Sequence, residues 1–340
     1  MSQGRPASNL GVQHPDRFQE ARILVQNEFH GLDVHQQYMN SFSRLLKWDP
    51  LERVTMLGTD QRDQFVPAVK EAVSKAMPHG GALLDIGCGD GKTFSLIADA
   101  IPDGSLIDAF DPNPEYVSLY EKALKGNPRL NAGLCDTAAF SACTFGEARP
   151  GKVGFRSSYD AILALHVLYF FDDLRKCVIE VYKRLSPNGV AILVFADEQV
   201  AYTGLSYRAY LKSIGKPEAA NLHIEECERR ADLFSIRQDT DTSATGLLSR
   251  MFPNAPPRIQ IQRQETRLFG HSIADIIALS NISELEQYIS VAKFESGADI
   301  IEFRPELVDF RVERDKSDAR YGMLSVLQPQ IVVTITKTWV

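Results

Sequence analysis

The ten residues Leu83-Leu84-Asp85-Ile86-Gly87-Cys88-Gly89-Asp90-Gly91-Lys92 hold the densest chemical signal in the chain. Glycines at 87, 89 and 91 follow a short apolar run and precede a helix-like stretch. Main chain there must pass close to a ligand, and no Cβ can be tolerated. Two familiar nucleotide motifs fail on spacing. A dinucleotide fingerprint needs G-x-G-x-x-G, and here the third glycine comes one residue early. A phosphate loop needs G-x-x-x-x-G-K-S/T; Gly91-Lys92-Thr93 fits its tail, but Gly87 stands one position too near Gly91. Further along, Asp111 ends a second apolar run, ahead of Pro112-Asn113-Pro114, where a carboxylate either meets a ligand or caps the next helix. His166 ends a later run, and an imidazole that titrates near neutral pH suits a base, a substrate-orienting group or a satisfied core position.

These residues need a scaffold, and the periodicity supplies one. From Arg17 to Met77 apolar residues recur at intervals of three and four, which predicts three or four helices before any strand. The pattern then changes. Apolar runs at 82–86, 105–111, 130–135, 159–165 and 189–196 read as strands, separated by helix-like stretches at 92–100, 114–124 and 174–185. Strands apolar on both faces, alternating with helices, predict a Rossmann-like, doubly wound and mostly parallel α/β sheet. Beyond Asp197 the alternation loosens. Residues 224–234 look helical, 258–268 read as one long strand, 273–291 carry one or two helices, and Ile331-Val332-Val333-Thr334-Ile335-Thr336 is a strong strand signal expected to close the sheet in antiparallel fashion. The organisation expected is a loose tail over 1–15, a helical cap over 16–80, a core over 81–196, and a substrate cover with the closing strands over 197–340.

With that scaffold, Asp85-x-Gly87-x-Gly89-x-Gly91 resembles the first motif of the class I S-adenosylmethionine-dependent methyltransferases. The resemblance implies S-adenosylmethionine as co-substrate, cradled by Asp85, Gly87, Cys88, Gly89 and Gly91. It implies Asp111, beside Pro112, on the ribose hydroxyls, and Asp136 with Thr137 near the adenine. It also implies that the loop holding His166, Tyr169 and Phe170 faces the reacting methyl group. Tyr38-Met39-Asn40-Ser41-Phe42, together with His166-Val167-Leu168-Tyr169, is similar to the histamine N-methyltransferase-like branch, in which an N-terminal segment closes over the site. That likeness makes Tyr38 and Phe42 substrate-lining candidates, with helix packing as the ordinary alternative. His166 stands where the branch has a glutamine, and its substrate-binding glutamate has no counterpart in register at Leu51-Glu52, so the substrate is not carried over.

Composition narrows the remainder. The 340 residues carry 44 acidic and 37 basic side chains, a net charge of −7, which disfavours a nucleic-acid partner. No apolar run approaches the ~20 residues of a membrane span. Five scattered cysteines without C-x-x-C, and an N-terminus without an apolar leader, predict a cytoplasmic protein. Seven histidines show neither H-x-x-x-H nor H-E-x-x-H, so no catalytic metal is predicted. Arg208, Arg229, Arg230 and Arg237 are the basic residues available for an acidic acceptor, if the fold gathers them.

The reaction expected is methyl transfer to a small metabolite by in-line displacement, with His166, Tyr38 and Tyr169 as the catalytic candidates. An alternative is cyclisation or aminocarboxypropyl transfer, giving azetidine-2-carboxylate and methylthioadenosine. A third reading is a non-catalytic partner protein of the same fold.

Overall fold

The computed structural model describes residues 15–46, 58–137, 155–168, 171, 173–234, 243–280 and 291–338. Helices α1 (Pro15–Phe29), α2 (Val34–Leu46) and α3 (Gln61–Ala76) come first. Next run β1 (Ala82–Ile86), α4 (Lys92–Ile97), β2 (Leu106–Asp111), α5 (Pro114–Lys125), β3 (Asn131–Thr137), β4 (Tyr159–Leu165), α6 (Leu174–Lys183) and β5 (Leu185–Ala196). Then follow α7 (Tyr202–Ser213), α8 (Pro217–Leu233), α9 (Ala244–Met251), β6 (Pro257–Gln264), β7 (Arg267–Gly270), α10 (Ile273–Leu279), α11 (Val291–Phe303), β8 (Arg311–Val312), β9 (Leu324–Leu327) and β10 (Gln330–Lys337).

The apolar runs become strands because both their faces find cover. Along β1, Leu84 and Ile86 enter one buried cluster while Leu83 enters the other. On β5, Ala191, Leu193 and Phe195 alternate in the same way with Val190, Ile192 and Val194. This two-residue period divides the sheet between two cores. One is closed by α6 through Cys177, Val178, Val181 and Tyr182, the other by α3 through Phe65, Val69 and Val73, each set at helical spacing.

The seven-stranded sheet has the order β3-β2-β1-β4-β5-β10-β6. Every pairing from β3 to β5 is parallel, and the sheet carries an antiparallel edge. The order reverses between β1 and β4, the place where open parallel sheets bind ligands. A polar contact inside the sheet adds to its register. Asp108, buried on β2, accepts hydrogen bonds from the Tyr159 hydroxyl at 2.7 Å and the Leu134 amide at 2.7 Å.

Two compact units divide the chain. The sheet unit comprises Gln64–Phe195, Arg229–Arg263 and Ile331–Val340. The second comprises Met1–Asp63, Ala196–Glu228 and Gln264–Gln330. Its own core joins Phe18, Ala21 and Val25 of α1 to Ile276 and Ile277 of α10 and Ala298 and Ile301 of α11. It also holds the antiparallel sheet β7-β9-β8. Arg44 joins α2 to α1 and α10 through ion pairs with Glu28 and Asp275.

Several local expectations need correction. The long strand expected over 258–268 is two strands in two sheets, broken at Glu265-Thr266, whose buried Thr266 hydroxyl donates to the Gln328 carbonyl. The last strand, β10, joins the sheet between β5 and β6 as expected of a strand that closes it. Helix α7 was not anticipated, because the buried face it presents includes Thr203, Gly204, Ser206 and Arg208, which hydropathy reads as polar. Among the described residues no helix is long and apolar enough to cross a membrane.

Candidate functional site

At the carboxyl end of β1 the chain turns through Gly87, Gly89 and Gly91, with φ of 68°, 55° and 82°. All three lie in the left-handed region that side-chain-bearing residues enter at a cost. The Gly87 and Cys88 amides donate to the Phe110 carbonyl at 2.9 and 3.2 Å, fastening the turn to the end of β2. At Gly89 a Cβ would project into open space. At Gly91 a Cβ would stand 3.2 Å from the Tyr120 ring, so a side chain there would press on α5 as well as strain the left-handed backbone.

Two carboxylates line this turn. Asp111, buried at the end of β2, accepts from the Gly89 amide at 3.1 Å through Oδ2 and from the Asn113 amide at 2.9 Å through Oδ1. Each oxygen keeps acceptor capacity, so a vicinal diol can be met by both. Helix α5 is capped by Asn113, whose side chain accepts from the Glu115 amide, which leaves Asp111 to the turn. Burial pushes the Asp111 carboxyl above its ordinary range. Asp85 accepts from the Tyr120 hydroxyl at 2.9 Å. Its pKa is pushed up to about 7, by burial first and then by Asp111, with the Tyr120 hydrogen bond opposing.

Among the described residues neither Asp85 nor Asp111 forms an ion pair with a Lys, Arg or His, and no basic side chain contributes to either pKa shift. Two buried carboxyls without a counter-cation favour a ligand that brings hydroxyl groups and positive charge. The Cys88 thiol is buried and driven upward, so it stays a neutral packing group while its amide serves the turn.

The parallel register sets Asp136 opposite Phe110 and Thr137 opposite Asp111, so the ends of β2 and β3 lie side by side. Asp136 accepts from the Thr137 amide at 2.8 Å. Pro112 is exposed between β2 and α5. His166 follows β4, whose Ile86 partner is Ala164, with a left-handed φ of 56°, its amide donating to the Val194 carbonyl at 2.7 Å and its ring 5.6 Å from that of Phe65. A left-handed non-glycine residue costs about 1–3 kcal/mol and is kept where its surroundings over-determine it.

Gly87, Gly89, Gly91, Asp85 and Asp111 are thus brought together, with Asp136 and Thr137 on the neighbouring strand. His166 stands at the same, carboxyl, end of the parallel strands. Tyr38 belongs to α2, and its side chain lies outside the described residues, as do Tyr169 and Phe170. Phe42, also on α2, is half-buried against the core of the second unit. The arginines are not gathered: Arg208 donates to main-chain carbonyls, Arg230 is buried, Arg229 is exposed, and Arg237 lies outside the described residues. Tyr120 was missed from the sequence, because its partner Asp85 is 35 residues away. His223 and Cys227, four apart on α8, were missed because only His-His spacings were weighed.

Residues 84–191 match the family model of a methyltransferase domain. The ubiquinone biosynthesis O-methyltransferase of Rickettsia typhi is 25% identical over 111 residues, covering 33% of this chain and 39% of the relative. That of Rickettsia akari is 26% identical over 111 residues, covering 33% of this chain and 38% of the relative. The chain therefore aligns with about two fifths of the length of these relatives. Among solved structures, YcgJ of Bacillus subtilis superposes with a TM-score of 0.45 at 14% identity, covering 81% of this chain and 99% of that one. The plantazolicin methyltransferase BpumL in complex with SAH gives a TM-score of 0.41 at 15% identity, covering 95% and 98%. The match to a methyltransferase domain thus runs from Leu84 to Ala191, about a third of the chain, and takes in the glycine turn and the strands beside it.

Proposed function

We propose that the protein is an S-adenosylmethionine-dependent methyltransferase acting on a small-molecule acceptor. The observation that carries this reading is the cradle of Gly87, Gly89 and Gly91 with two buried carboxyls, Asp85 and Asp111, that have no counter-cation among the described residues. Bound S-adenosylmethionine supplies a methyl group on a sulfonium, already activated for in-line displacement. Asp111 accepts the ribose hydroxyls, Asp136 and Thr137 border the adenine, and the carboxylate of Asp85 offsets the positive charge of the methionine portion.

The curated relatives are O-methyltransferases, and their likeness supports a hydroxyl acceptor here. Such an acceptor gains from a base, and His166, held at the end of β4, is proposed to take its proton. The histamine-like substrate range has no support in the relatives found. The test is to incubate the purified protein with S-adenosylmethionine, with and without hydroxylated aromatic acceptors, and to identify the nucleoside formed. S-adenosylhomocysteine appearing only with acceptor supports the proposal. Methylthioadenosine accumulating without acceptor overturns it in favour of cyclisation, and absence of any binding to S-adenosylhomocysteine by calorimetry overturns cofactor use.

A further inference from the structure

The second unit contains a cluster that the methyltransferase reading does not use. Glu198, in the turn that leaves β5, and His223 and Cys227 of α8 are each buried, and their ligand atoms all lie within 4.8 Å of one another. His223 Nε2 is 3.8 Å from Glu198 Oε2 and 3.9 Å from Cys227 Sγ. Residues four apart share one face of a helix, so the imidazole and the thiol point the same way. A tetrahedral zinc ion with ordinary bond lengths separates its nitrogen, oxygen and sulfur donors by about 3.3–3.6 Å. The separations here are a few tenths of an ångström wider than that; the His223–Glu198 distance is longer than a direct nitrogen–oxygen hydrogen bond, whereas Cys227 Sγ is within hydrogen-bonding reach of the His223 ring. Carboxylate, imidazole and thiolate together are a donor set suited to a borderline divalent cation.

The surroundings hold Glu198 in place. Arg208 of α7 donates from Nη1 to the Glu198 carbonyl at 2.8 Å and from Nη2 to the Gln199 carbonyl at 2.8 Å. Gly204 lets α7 approach so closely that a Cβ there would stand 2.2 Å from the Glu198 carbonyl oxygen. The Tyr207 ring meets the His223 ring edge-on, with centroids 5.2 Å apart. One contact works against a metal: Arg208 Nη1 lies 3.5 Å from His223 Nδ1, the nitrogen that carries the proton when Nε2 is a ligand. That guanidinium also adds positive charge beside the ion, which sets the affinity below that of a closed four-ligand zinc centre.

We propose that Glu198, His223 and Cys227 form a binding site for one divalent cation of the zinc class, held through a carboxylate oxygen, Nε2 and a thiolate, with water at the fourth position. The ion ties α8 to the turn after β5. Cys227 binds as the thiolate, its proton passing to solvent as the metal–sulfur bond forms.

The test uses the full chain, reduced and stripped of metal by a chelator, then titrated with Co(II) alone and followed by absorption. A sulfur-to-cobalt charge-transfer band that saturates at one equivalent and is reversed by Zn(II) is the expected result. Cys227→Ser abolishes the band, whereas Cys177→Ser, altered in the core of the sheet unit, keeps it. Circular dichroism establishes that each variant is folded; should Cys227→Ser unfold, His223→Asn replaces it, with cobalt affinity expected to fall at least tenfold. No sulfur band in the wild type, or a band undiminished in Cys227→Ser or His223→Asn, overturns the proposal. The experiment does not depend on methyltransferase activity, so its failure leaves that reading standing.

Discussion

Lowering the pH through neutrality should weaken cofactor binding through Asp85. The groups that face this carboxyl are Tyr120 from α5, Asp111 from β2, Cys88 in the glycine turn and Cys135 from β3. None is a cation. Burial therefore dominates and pushes the pKa up to about 7 from an ordinary 3.8. In the free protein Asp85 holds a proton below that value and loses it above. Cofactor with a positive sulfonium and ammonium favours the ionised form, so binding must expel the proton whenever it is present. Affinity is consequently full above about pH 8 and falls as the pH drops, by about tenfold or 1.4 kcal/mol at about pH 6. Calorimetric titration with S-adenosylmethionine across this window, in buffers of different ionisation enthalpy, reads both the affinity and the number of protons released. Asp85→Asn keeps an acceptor for Tyr120 but cannot titrate. Its profile should be flat apart from any titration of the ligand itself, at an affinity below that of the wild type at high pH. A flat wild-type profile, or proton release that persists in Asp85→Asn, would refute the assignment.

Three further substitutions test the same cradle. Asp111→Ala should cost about 1.5–3 kcal/mol of affinity for S-adenosylhomocysteine, the scale of hydrogen bonds to a charged group, with an unchanged circular dichroism spectrum; unaltered affinity would mean that the ribose lies elsewhere. Tyr120→Phe retains the ring packed against Phe94 and removes the donor to Asp85, which should lower stability in denaturant titration by about 1–3 kcal/mol. Because the Tyr120 hydrogen bond holds the Asp85 pKa down, the same variant should move the midpoint of the binding profile to higher pH, and a midpoint that stays put or drops contradicts the role given to that hydroxyl. His166→Ala should reduce kcat by at least tenfold with little change in cofactor affinity, as expected for a proton acceptor; wild-type turnover would return His166 to packing against Phe65.

Much of the sheet was legible because its causes are local. Runs such as Ala82–Ile86 and Tyr159–Leu165 announce strands by apolar residues on both faces, and a parallel sheet is the arrangement that buries both. The glycine turn was legible for a similar reason: a left-handed φ at 87, 89 and 91 leaves a trace in residue type that no distant contact is needed to explain. Elsewhere the local chemistry is ambiguous. Residues 258–268 hold enough strand formers for one continuous strand, yet the buried Thr266 hydroxyl bonds to Gln328, a partner 62 residues away, and the chain changes sheets there. Helix α7 hides Thr203, Ser206 and Arg208 in its buried face by giving Thr203 and Arg208 polar partners that hydropathy cannot foresee.

The same distinction separates the two candidate sites. Gly87, Gly89, Gly91 and Asp111 are linked through the adjacent parallel strands β1 and β2, so the order of strand, glycine turn and next strand along the chain already implies their nearness. Tyr120 belongs to that site as firmly as any of them, but its relation to Asp85 exists only once α5 has packed on the sheet, and nothing in the intervening 35 residues encodes it. Glu198 and Cys227 stand further apart still in sequence role: one leaves a sheet strand, the other ends a helical spacing that alone is an ordinary i,i+4 pair. What turns that spacing into a candidate ligand set is Arg208 fixing the main chain at Glu198, and that contact follows from the close approach of α7 at Gly204. Any Cβ at Gly204 would stand 2.2 Å from the Glu198 carbonyl oxygen, so the residue type there is set by tertiary packing rather than by local helix preference.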